Sequence, residues 1–257
     1  MARVIVVGSI NQDVTVTVDR FPSPGETLSG TSLSYSLGGK GANQAAAAAH
    51  SGATVVFVGA LGSDPSGQRL RCDLASHGVD VTHLREADGP SGTALITVAA
   101  SGENTIILDA GANATVSITP AKASLFPAPS DIVVLQAEIP ERANAEALAW
   151  AHSFGARVLL NLAPARPTDP ALMARTDILV VNETEAGLTL GMPAPASPME
   201  AIGVARALRG LGPKHVMVTL GADGAAWASG SEAGHCPALT LGEAVDTTGA
   251  GDACVGA

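Results

Sequence analysis

Residues 3–13 read RVIVVGSINQD, an apolar run that ends in glycine and passes into small polar residues. The run is continuously apolar rather than alternating, which is typical of a strand covered on both faces. Similar runs recur along the chain at residues 54–59, 131–135, 157–161, 177–182 and 215–220. The pattern predicts a buried sheet, and it puts the polar residues after Gly8 at the carboxyl end of the first strand.

Helical stretches lie between these runs. Asn43–Ser51 is rich in alanine and stops at Gly52, a common helix terminator, and Pro140–Phe154 reaches Gly155 in the same way. Ser197–Leu208 opens with Ser-Pro-Met-Glu, a capping box with proline at the first helical position. Strands that alternate with helices predict an α/β fold with a mostly parallel central sheet and right-handed crossovers.

Two parts of the chain break this alternation. Val14–Val18 alternates between apolar and polar residues, and Leu28–Leu37 is rich in Ser, Thr, Gly and Tyr. Thr93–Ala99 and Asn104–Leu108 are joined by Ala-Ser-Gly-Glu, which favours a hairpin. We predict a small β-sheet, built from two insertions, that can cover a site as a lid; the alternative is that these strands are edges of the main sheet. The predicted boundaries are residues 1–10, 38–90 and 110–257 for the α/β domain and residues 11–37 and 91–109 for the lid.

The composition argues against several classes of protein. The 257 residues are 46% hydrophobic but only 3% aromatic, and the net charge is −10. An acidic surface argues against a nucleic-acid partner and against binding to an anionic membrane. The apolar runs are too short for a membrane span or a signal peptide, so we expect a cytoplasmic protein. The three cysteines lie far apart and the six histidines lack metal-ligand spacing, so neither predicts a disulfide framework or a zinc site.

The first motif that can carry chemistry is Gly8–Asp13, directly after the first strand. Ligands of open α/β sheets bind at the carboxyl ends of strands, where this loop is expected. Asn11 and Asp13 offer an amide and a carboxylate, which suit neighbouring hydroxyls of a sugar. The loop lacks the GxGxxG pattern of dinucleotide-binding proteins, and an Asx-turn that ends the strand is the alternative interpretation.

The second motif is Leu37–Gln44, which reads LGGKGANQ. Consecutive glycines let the backbone approach a ligand closely, and they lead into a helix N-terminus that favours oxygen-rich ligands. Lys40 adds a positive charge, but no Ser or Thr follows it, so the motif is not a Walker A loop. A glycine hinge with a helix cap is the alternative.

The third motif is Asp246–Asp252, which reads DTTGAGD. Gly249, Ala250 and Gly251 can form a nest of backbone N–H groups that binds an anion. Asp252 is expected at the first turn of a helix, facing that nest. A carboxylate in this place can take a proton from a hydroxyl that attacks phosphorus, while the N–H groups meet the developing charge. The alternative is a glycine-rich turn with an N-capping Asp.

Together the three motifs resemble those of the ribokinase-like, or PfkB, family of carbohydrate kinases. Further matches occur in the family's order at Gly111–Asn113, Asn161–Ala165, Asn182–Glu185 and Thr219–Gly221, so the resemblance runs through essentially the whole chain. It implies a three-layer α/β sandwich with a β lid. It also implies ATP-dependent phosphorylation of a sugar's primary hydroxyl, with a pattern closest to the kinases that convert ribose to ribose 5-phosphate.

Other readings of the family resemblance stay open. The substrate could be fructose, deoxyribose or a nucleoside, or the chain could be a sugar-binding relative without turnover. A nucleoside kinase would need an apolar or aromatic platform for the base, for which Tyr35 is the one lid candidate. Family members continue for several dozen residues after the third motif, so the C-terminal end of the α/β domain is expected to lie beyond residue 257.

The resemblance implies a role for each matching residue. Asp252 is similar to the catalytic base, and Gly249, Ala250 and Gly251 are similar to the anion hole. The implied sugar contacts are Asn11, Gln12, Asp13, Gly39, Lys40, Gly41, Ala42, Asn43, Glu138 and Asp252. The implied nucleotide contacts are Asn182, Glu185, Thr219, Leu220, Gly221, Ala222, Asp223, Gly224 and Gly251.

The resemblance also implies ions and an assembly. Glu185 resembles the residue that organises Mg²⁺ near the phosphates, although Asn182 and Glu185 also form the pattern of a helix capping box. Asp246 and Thr248 resemble part of a site for a monovalent cation, which is K⁺ in the family. Lid strands of the family pair between subunits, which implies a homodimer.

Overall fold

The computed structural model describes residues 2–239, 242, 247 and 249–257. Within them, strands and helices alternate along most of the chain. The strands are β1 Arg3–Val7, β2 Asn11–Val18, β3 Ser32–Gly38, β4 Thr54–Gly62, β5 Asp80–Ala87, β6 Gly92–Ala99, β7 Asn104–Asp109, β8 Ile132–Gln136, β9 Arg157–Asn161, β10 Ile178–Asn182, β11 His215–Thr219, β12 Ala225–Ser229 and β13 Glu232–Cys236. The helices are α1 Lys40–His50, α2 Pro65–Ser76, α3 Glu141–Ser153, α4 Pro170–Arg175, α5 Glu183–Leu190, α6 Pro198–Arg209 and α7 Ala250–Gly256.

The main sheet contains nine of the described strands, in the order β13-β12-β11-β10-β9-β8-β1-β4-β5. All neighbours are parallel except β11–β12 and β12–β13, which are antiparallel. The predicted mostly parallel sheet is therefore confirmed. The sequence pattern had not predicted the edge strands β5 and β13 or the neighbouring β12, because each of these strands is only partly buried.

Helices cover both faces of the sheet. Alternate residues of β1 enter different cores: Ile5 and Val7 belong to the core that includes buried residues of α3 and α6, whereas Val6 belongs to the core that includes buried residues of α1 and α2. Each of these side chains has no exposed surface. This two-sided burial explains why the strand is apolar at every position, and it gives the three-layer sandwich expected from the sequence.

The predicted small sheet is also present, in the order β3-β2-β6-β7. β2 pairs with β6 in parallel, and the two outer pairs are antiparallel. Because side chains alternate along each strand, one face carries Asp13, Ala94 and Leu108, and the other carries Tyr35 and Leu95. We call this sheet the lid.

The order of strands reverses at β1, which lies between β8 and β4. Chain connections therefore leave β1 and β8 in opposite directions, and their carboxyl ends border an open crevice. The loops that follow these two strands carry Ser9 and Glu138. Among the described helices, none is long and apolar enough to cross a membrane.

Candidate active site

Two cavities meet at the carboxyl ends of the sheet. The lid cavity has a volume of about 460 Å³ and lies between the lid and the main sheet; the strand-end cavity has a volume of about 200 Å³ and lies beside α5 and α7. The lid cavity is lined by Asn11, Asp13, Gly39, Lys40, Asn43, Ala94, Ile96, Asn104, Ile106, Leu108, Glu138, Pro164, Thr247, Gly249 and Asp252. The strand-end cavity is lined by Lys40, Asn161, Ala163, Val180, Val181, Asn182, Glu185, Thr219, Gly249, Gly251 and Asp252. Lys40, Gly249 and Asp252 line both cavities, so they lie at the junction.

Asp252 lies in the first turn of α7, which packs against α1. Its side chain is almost completely buried. Asn43 Nδ2 donates a hydrogen bond to its Oδ2 over 3.0 Å, and Gln44 Nε2 donates to its Oδ1 over 2.9 Å. Both donors are neutral amides, so they orient the carboxylate without neutralising it. The group can therefore accept a proton from a ligand at the junction of the cavities.

Glu138 is held by two groups from elements far away in sequence. The hydroxyl of Ser9 donates to Glu138 Oε2 over 2.6 Å, and the backbone N–H of Lys40 donates to the same oxygen over 3.0 Å. The backbone N–H of Gly41 donates to Ser9 Oγ, and that of Ala42 donates to the Ser9 carbonyl. Gly41 and Ala42 therefore join α1 to the β1 loop, and neither is among the residues that line the two described cavities.

Asn11 is oriented by Asn113, which lies in the Gly111–Thr115 turn. Asn113 Nδ2 donates to Asn11 Oδ1 over 2.7 Å, and Asn113 also pairs with the N–H and carbonyl of Ile10. The oxygen of the Asn11 amide is thus turned toward Asn113. The NH₂ group is the end that can reach a hydroxyl in the lid cavity.

Asp13 has an unusual electrostatic environment for a carboxyl group. Burial raises the pKa of Asp13 from 3.8 to about 6, and the negative charge of Glu138 acts in the same direction. The group is still mostly ionised at neutral pH, and within the described part of the chain no hydrogen bond to it is found. An ionised carboxylate in that condition gains most from hydroxyl donors supplied by a ligand.

The strand-end cavity contains a second perturbed carboxyl group. Asn182 caps α5, its Oδ1 accepts from Glu185 N over 2.8 Å, and Glu185 Oε2 accepts from Asn182 N over 2.9 Å. Burial raises the pKa of Glu185, and the charge of Asp252 adds to the rise, while the Asn182 N–H and the charge of Lys40 oppose it. Asn182 and Glu185 therefore form the capping box of α5 and also line the strand-end cavity.

Glycines begin the two helices that meet at the junction. Gly39 precedes α1 with φ of +89°, and a Cβ there would come within 2.9 Å of Asn11 N, so a larger residue is excluded. Gly249 precedes α7 with φ of +74°. The N–H of Ala250 donates to the carbonyl of Thr247 over 3.1 Å. Of the predicted anion hole, Gly249 and Gly251 line the strand-end cavity, and Ala250 is not among its lining residues.

A protein-family model described as pfkB family carbohydrate kinase matches residues 1–257. The chain belongs to this family. It is 38% identical to a ribokinase of Haemophilus influenzae over 96% of this chain and 81% of the relative. It is 39% identical to a ribokinase of Bacillus subtilis over 98% of this chain and 83% of the relative. The structure of Arabidopsis thaliana ribokinase complexed with ribose and ATP matches with a TM-score of 0.87 and 33% identity, over 98% of this chain and 83% of that chain.

Family membership makes the protein an ATP-dependent carbohydrate kinase and confirms the fold expected from the three motifs. Some predicted site residues of the kinase lie away from the cavities. Gln12 lies on the other face of β2 from Asp13, and its Oε1 accepts from the guanidinium of Arg69 over 3.1 Å. Of the residues predicted to contact the nucleotide, Thr219 lines the strand-end cavity. Leu220 is buried, Gly221, Ala222 and Asp223 form an exposed 3₁₀ turn, and Gly224 ends it. Asp246 and Thr248 lie outside the described residues.

The structure also adds residues to the site of the kinase that had not been assigned a role. Ser9, Gln44 and Asn113 hold Glu138, Asp252 and Asn11 respectively. All three are buried polar residues. The available signal was a polar residue of this kind inside an otherwise apolar or glycine-rich stretch, such as Gln44 directly before five alanines.

Proposed function

We propose that this kinase transfers the γ-phosphoryl group of ATP to the O5 hydroxyl of ribose and releases ribose 5-phosphate and ADP. The observation that carries the proposal is the position of Asp252, a buried carboxylate at the junction of the two cavities. The lid cavity has the donors and acceptors that a small sugar requires. The similarity to ribokinases, including one complexed with ribose and ATP, supports the choice of substrates.

The proposed mechanism assigns the sugar to the lid cavity and the triphosphate to the strand-end cavity. Asp252 accepts the proton of O5–H while the oxygen attacks the γ-phosphorus, and the bond from phosphorus to the bridging oxygen of ADP breaks. Lys40 and the N–H groups of Gly249 and Gly251 stabilise the charge on the transferred group. The sugar contacts in this mechanism are Asn11, Asp13, Gly39, Lys40, Asn43 and Glu138.

Mg²⁺ and K⁺ are proposed as the required ions. Among the described residues, no group of three or more His, Cys, Asp and Glu side chains is placed to hold a metal ion. Glu185 in the strand-end cavity fits Mg²⁺, which is commonly held by one or two carboxylates, water and substrate phosphates. When bound, the ion neutralises charge on the phosphates. We assign K⁺ to Asp246 and Thr248 from the family resemblance; equal activity in Na⁺, K⁺ and Cs⁺ would remove that assignment.

The test of the proposed function is an ADP-release assay with a panel of acceptors. We expect kcat/KM to be highest for ribose and lower for 2-deoxyribose, because Asn11 and Asp13 are placed to bind adjacent hydroxyls and an unpaired, partly buried carboxylate is costly. Fructose and nucleosides are the other comparisons. Tyr35 lies on the outer face of the lid, so it is not among the residues that line the lid cavity as a platform for a base. A preference for any of these acceptors over ribose would overturn the assignment.

We propose that two chains associate through their lids. Tyr35, Val14, Leu95 and Ile107 form one row across the outer lid face, and Tyr35, Leu95 and Ile107 are each more than half exposed. An exposed apolar row of this kind favours association. Light scattering should give a dimer for the native chain and a monomer for Leu95→Lys. A monomer at all concentrations would contradict this proposal.

We also propose the cytoplasm as the location of the enzyme. The three cysteines are free and exposed, as is usual in a reducing compartment. Cell fractionation tests the location.

We propose residues 11–37 and 91–109 as a lid that moves during turnover. Trypsin cleavage within the lid, with and without ribose, tests whether the substrate closes it.

A further inference from the structure

Gln44 is the residue next to the sugar-cavity residue Asn43, but it faces the protein interior. Its side chain is 1% exposed, and it is not among the residues that line either described cavity. Its NH₂ group donates one hydrogen bond to Asp252 Oδ1 and one to Asn161 Oδ1, each over 2.9 Å. Gln44 thus contacts the proposed base without any contact to the space where substrates bind.

The orientation of the Gln44 amide is determined from both ends. Gln136 Nε2 donates to Gln44 Oε1 over 2.8 Å, and Asn161 Nδ2 donates to the carbonyl of Val180 over 3.1 Å. If the Gln44 amide were rotated by half a turn, its oxygen would face the acceptor oxygens of Asp252 and Asn161. Its NH₂ group would then face that of Gln136. Unpaired polar groups are costly in a buried network, so one orientation is strongly preferred.

The two oxygens of Asp252 consequently have different surroundings. Oδ1 accepts from Gln44, which is interior, whereas Oδ2 accepts from Asn43, which lines the lid cavity. The carboxylate is planar, so a bond to Oδ1 also sets the direction of the free lone pair on Oδ2. Oδ2 is therefore the oxygen placed to receive a proton from a sugar hydroxyl.

We propose that Gln44 is a positioning residue for phosphoryl transfer, which it serves by holding Asp252 Oδ1 so that Oδ2 faces the acceptor hydroxyl. The inference rests on the proposed function. In the step it assists, the proton of O5–H moves to Asp252 Oδ2, the O5–phosphorus bond forms, and the bond to the bridging oxygen of ADP breaks. Gln136 supports the same geometry one residue further away.

The kinetic test compares Gln44→Met with a matched control. Methionine keeps the length of the side chain and removes both N–H donors. We expect kcat to fall by about 10- to 100-fold, because small misplacements of a reacting group have effects of that size, while KM for ribose changes by less than about twofold. Gln136→Met should give a smaller loss of kcat. The control is Asn144→Leu: Asn144 is equally buried, and its side chain donates to the backbone carbonyl of Gln136 and not to a side chain of this network, so its loss should lower Tm and leave kcat unchanged.

A second readout does not depend on turnover or on the Gln44 variant folding. The side-chain NH₂ signals of Gln44, assigned by NMR in the native chain, should exchange slowly with solvent and shift in Asp252→Ala. Two results would overturn the positioning role in a native chain that phosphorylates ribose. One is a normal kcat in Gln44→Met, and the other is an equal loss of kcat in Gln44→Met and Asn144→Leu. Native chains that do not phosphorylate ribose would instead overturn the proposed function, and unchanged NH₂ signals in Asp252→Ala would independently reject the Gln44 contact.

Discussion

Carboxylates at the two ends of the main sheet differ in their hydrogen-bond partners. At the amino ends of the strands, Asp131 is completely buried and accepts from the Arg3 guanidinium over 2.7 Å. Asp177 is 4% exposed and accepts from Lys214 over 2.7 Å and His152 over 3.0 Å. Burial alone would raise the pKa of each group, but hydrogen bonds from these partners and from backbone N–H groups lower the pKa of both below its usual value.

At the carboxyl ends, the corresponding groups are not neutralised. Asp252 is held by two neutral amides, and the pKa of Asp13 is raised by burial and by Glu138. The comparison teaches that cationic partners stabilise the fold, whereas neutral donors keep a carboxylate ready to bind a hydroxyl or a proton. A perturbed carboxyl group such as that of Asp13 is typical of functional sites.

The largest expected effect is that of Asp252→Asn. Without a group that accepts the hydroxyl proton, kcat should fall by about 10²–10⁴-fold, and ribose affinity should change little because the other sugar contacts remain. Single-turnover phosphoryl transfer and isothermal titration with ribose measure the two quantities. Near-normal turnover in this variant would mean that Asp252 is not the base, and that the carboxylates at the two ends of the sheet do not differ in function as we infer.

Asp13 gives a pH-dependent effect at the carboxyl end. Its pKa of about 6 means that it is mostly ionised at pH 7 and mostly protonated at pH 5. If the ionised form binds ribose, KM should rise by about tenfold between pH 7 and pH 5. Asp13→Asn should raise KM at pH 7 and remove its pH dependence. A KM profile of the native chain that is flat from pH 5 to 7 would contradict this reading of the site.

Asp131→Ala should lower stability and leave activity unchanged, because the lowered pKa of Asp131 indicates a structural role. The loss of bonds from Arg3 and from the Ala128 N–H should reduce the free energy of unfolding by about 2–4 kcal/mol, measured with urea, and kcat should not change. A lowered pKa contributes stability above the ordinary value near 4, and this contribution is lost as pH falls through the lowered pKa. The native chain should therefore lose stability below pH 4 more steeply than the variant.

The smallest expected effect sharpens the comparison within one strand. Gln12 and Asp13 are neighbours in β2, but they point to opposite faces of the lid. Gln12→Ala should change kcat/KM for ribose by less than about twofold, since it loses the bond from Arg69 on the face of β2 that points away from the lid cavity. A loss close to that of Asp13→Asn would mean that Gln12 contacts the sugar in another lid position.

Much of this fold was predictable because its strands differ in pattern. Continuous apolar runs such as Arg3–Gly8 predicted the central strands, and the alternation of Val14–Val18 predicted a strand with one face exposed. The edge strand β5 was not predicted, because only Leu84 of its eight residues is buried and the strand has no continuous apolar run. The observed ends of some helices differ from the predicted ends by a few residues. For example, α1 begins at Lys40, whereas the sequence pattern predicted a start at Asn43.

The candidate site divides in a similar way. The polar loop after β1, the glycines before α1 and the dense DTTGAGD motif identified Asp13, Lys40 and Asp252 as candidates, and the family resemblance alone added Glu138. The sequence motif could not tell Asp13 from Gln12 in function, nor assign any role to Gln44. Those distinctions depend on which face of a strand or helix is covered.

The sequence by itself determined the alternation of buried strands with helices and the chemistry available at each strand end, because both depend on residues that are close in the chain. Only the tertiary structure decided which of these groups meet. Gln44 and Asp252 are 208 residues apart, and Ser9 and Glu138 are 129 apart. Such pairs form only when parallel strands place their carboxyl ends at one edge and the helices pack across them, so no local pattern contains them.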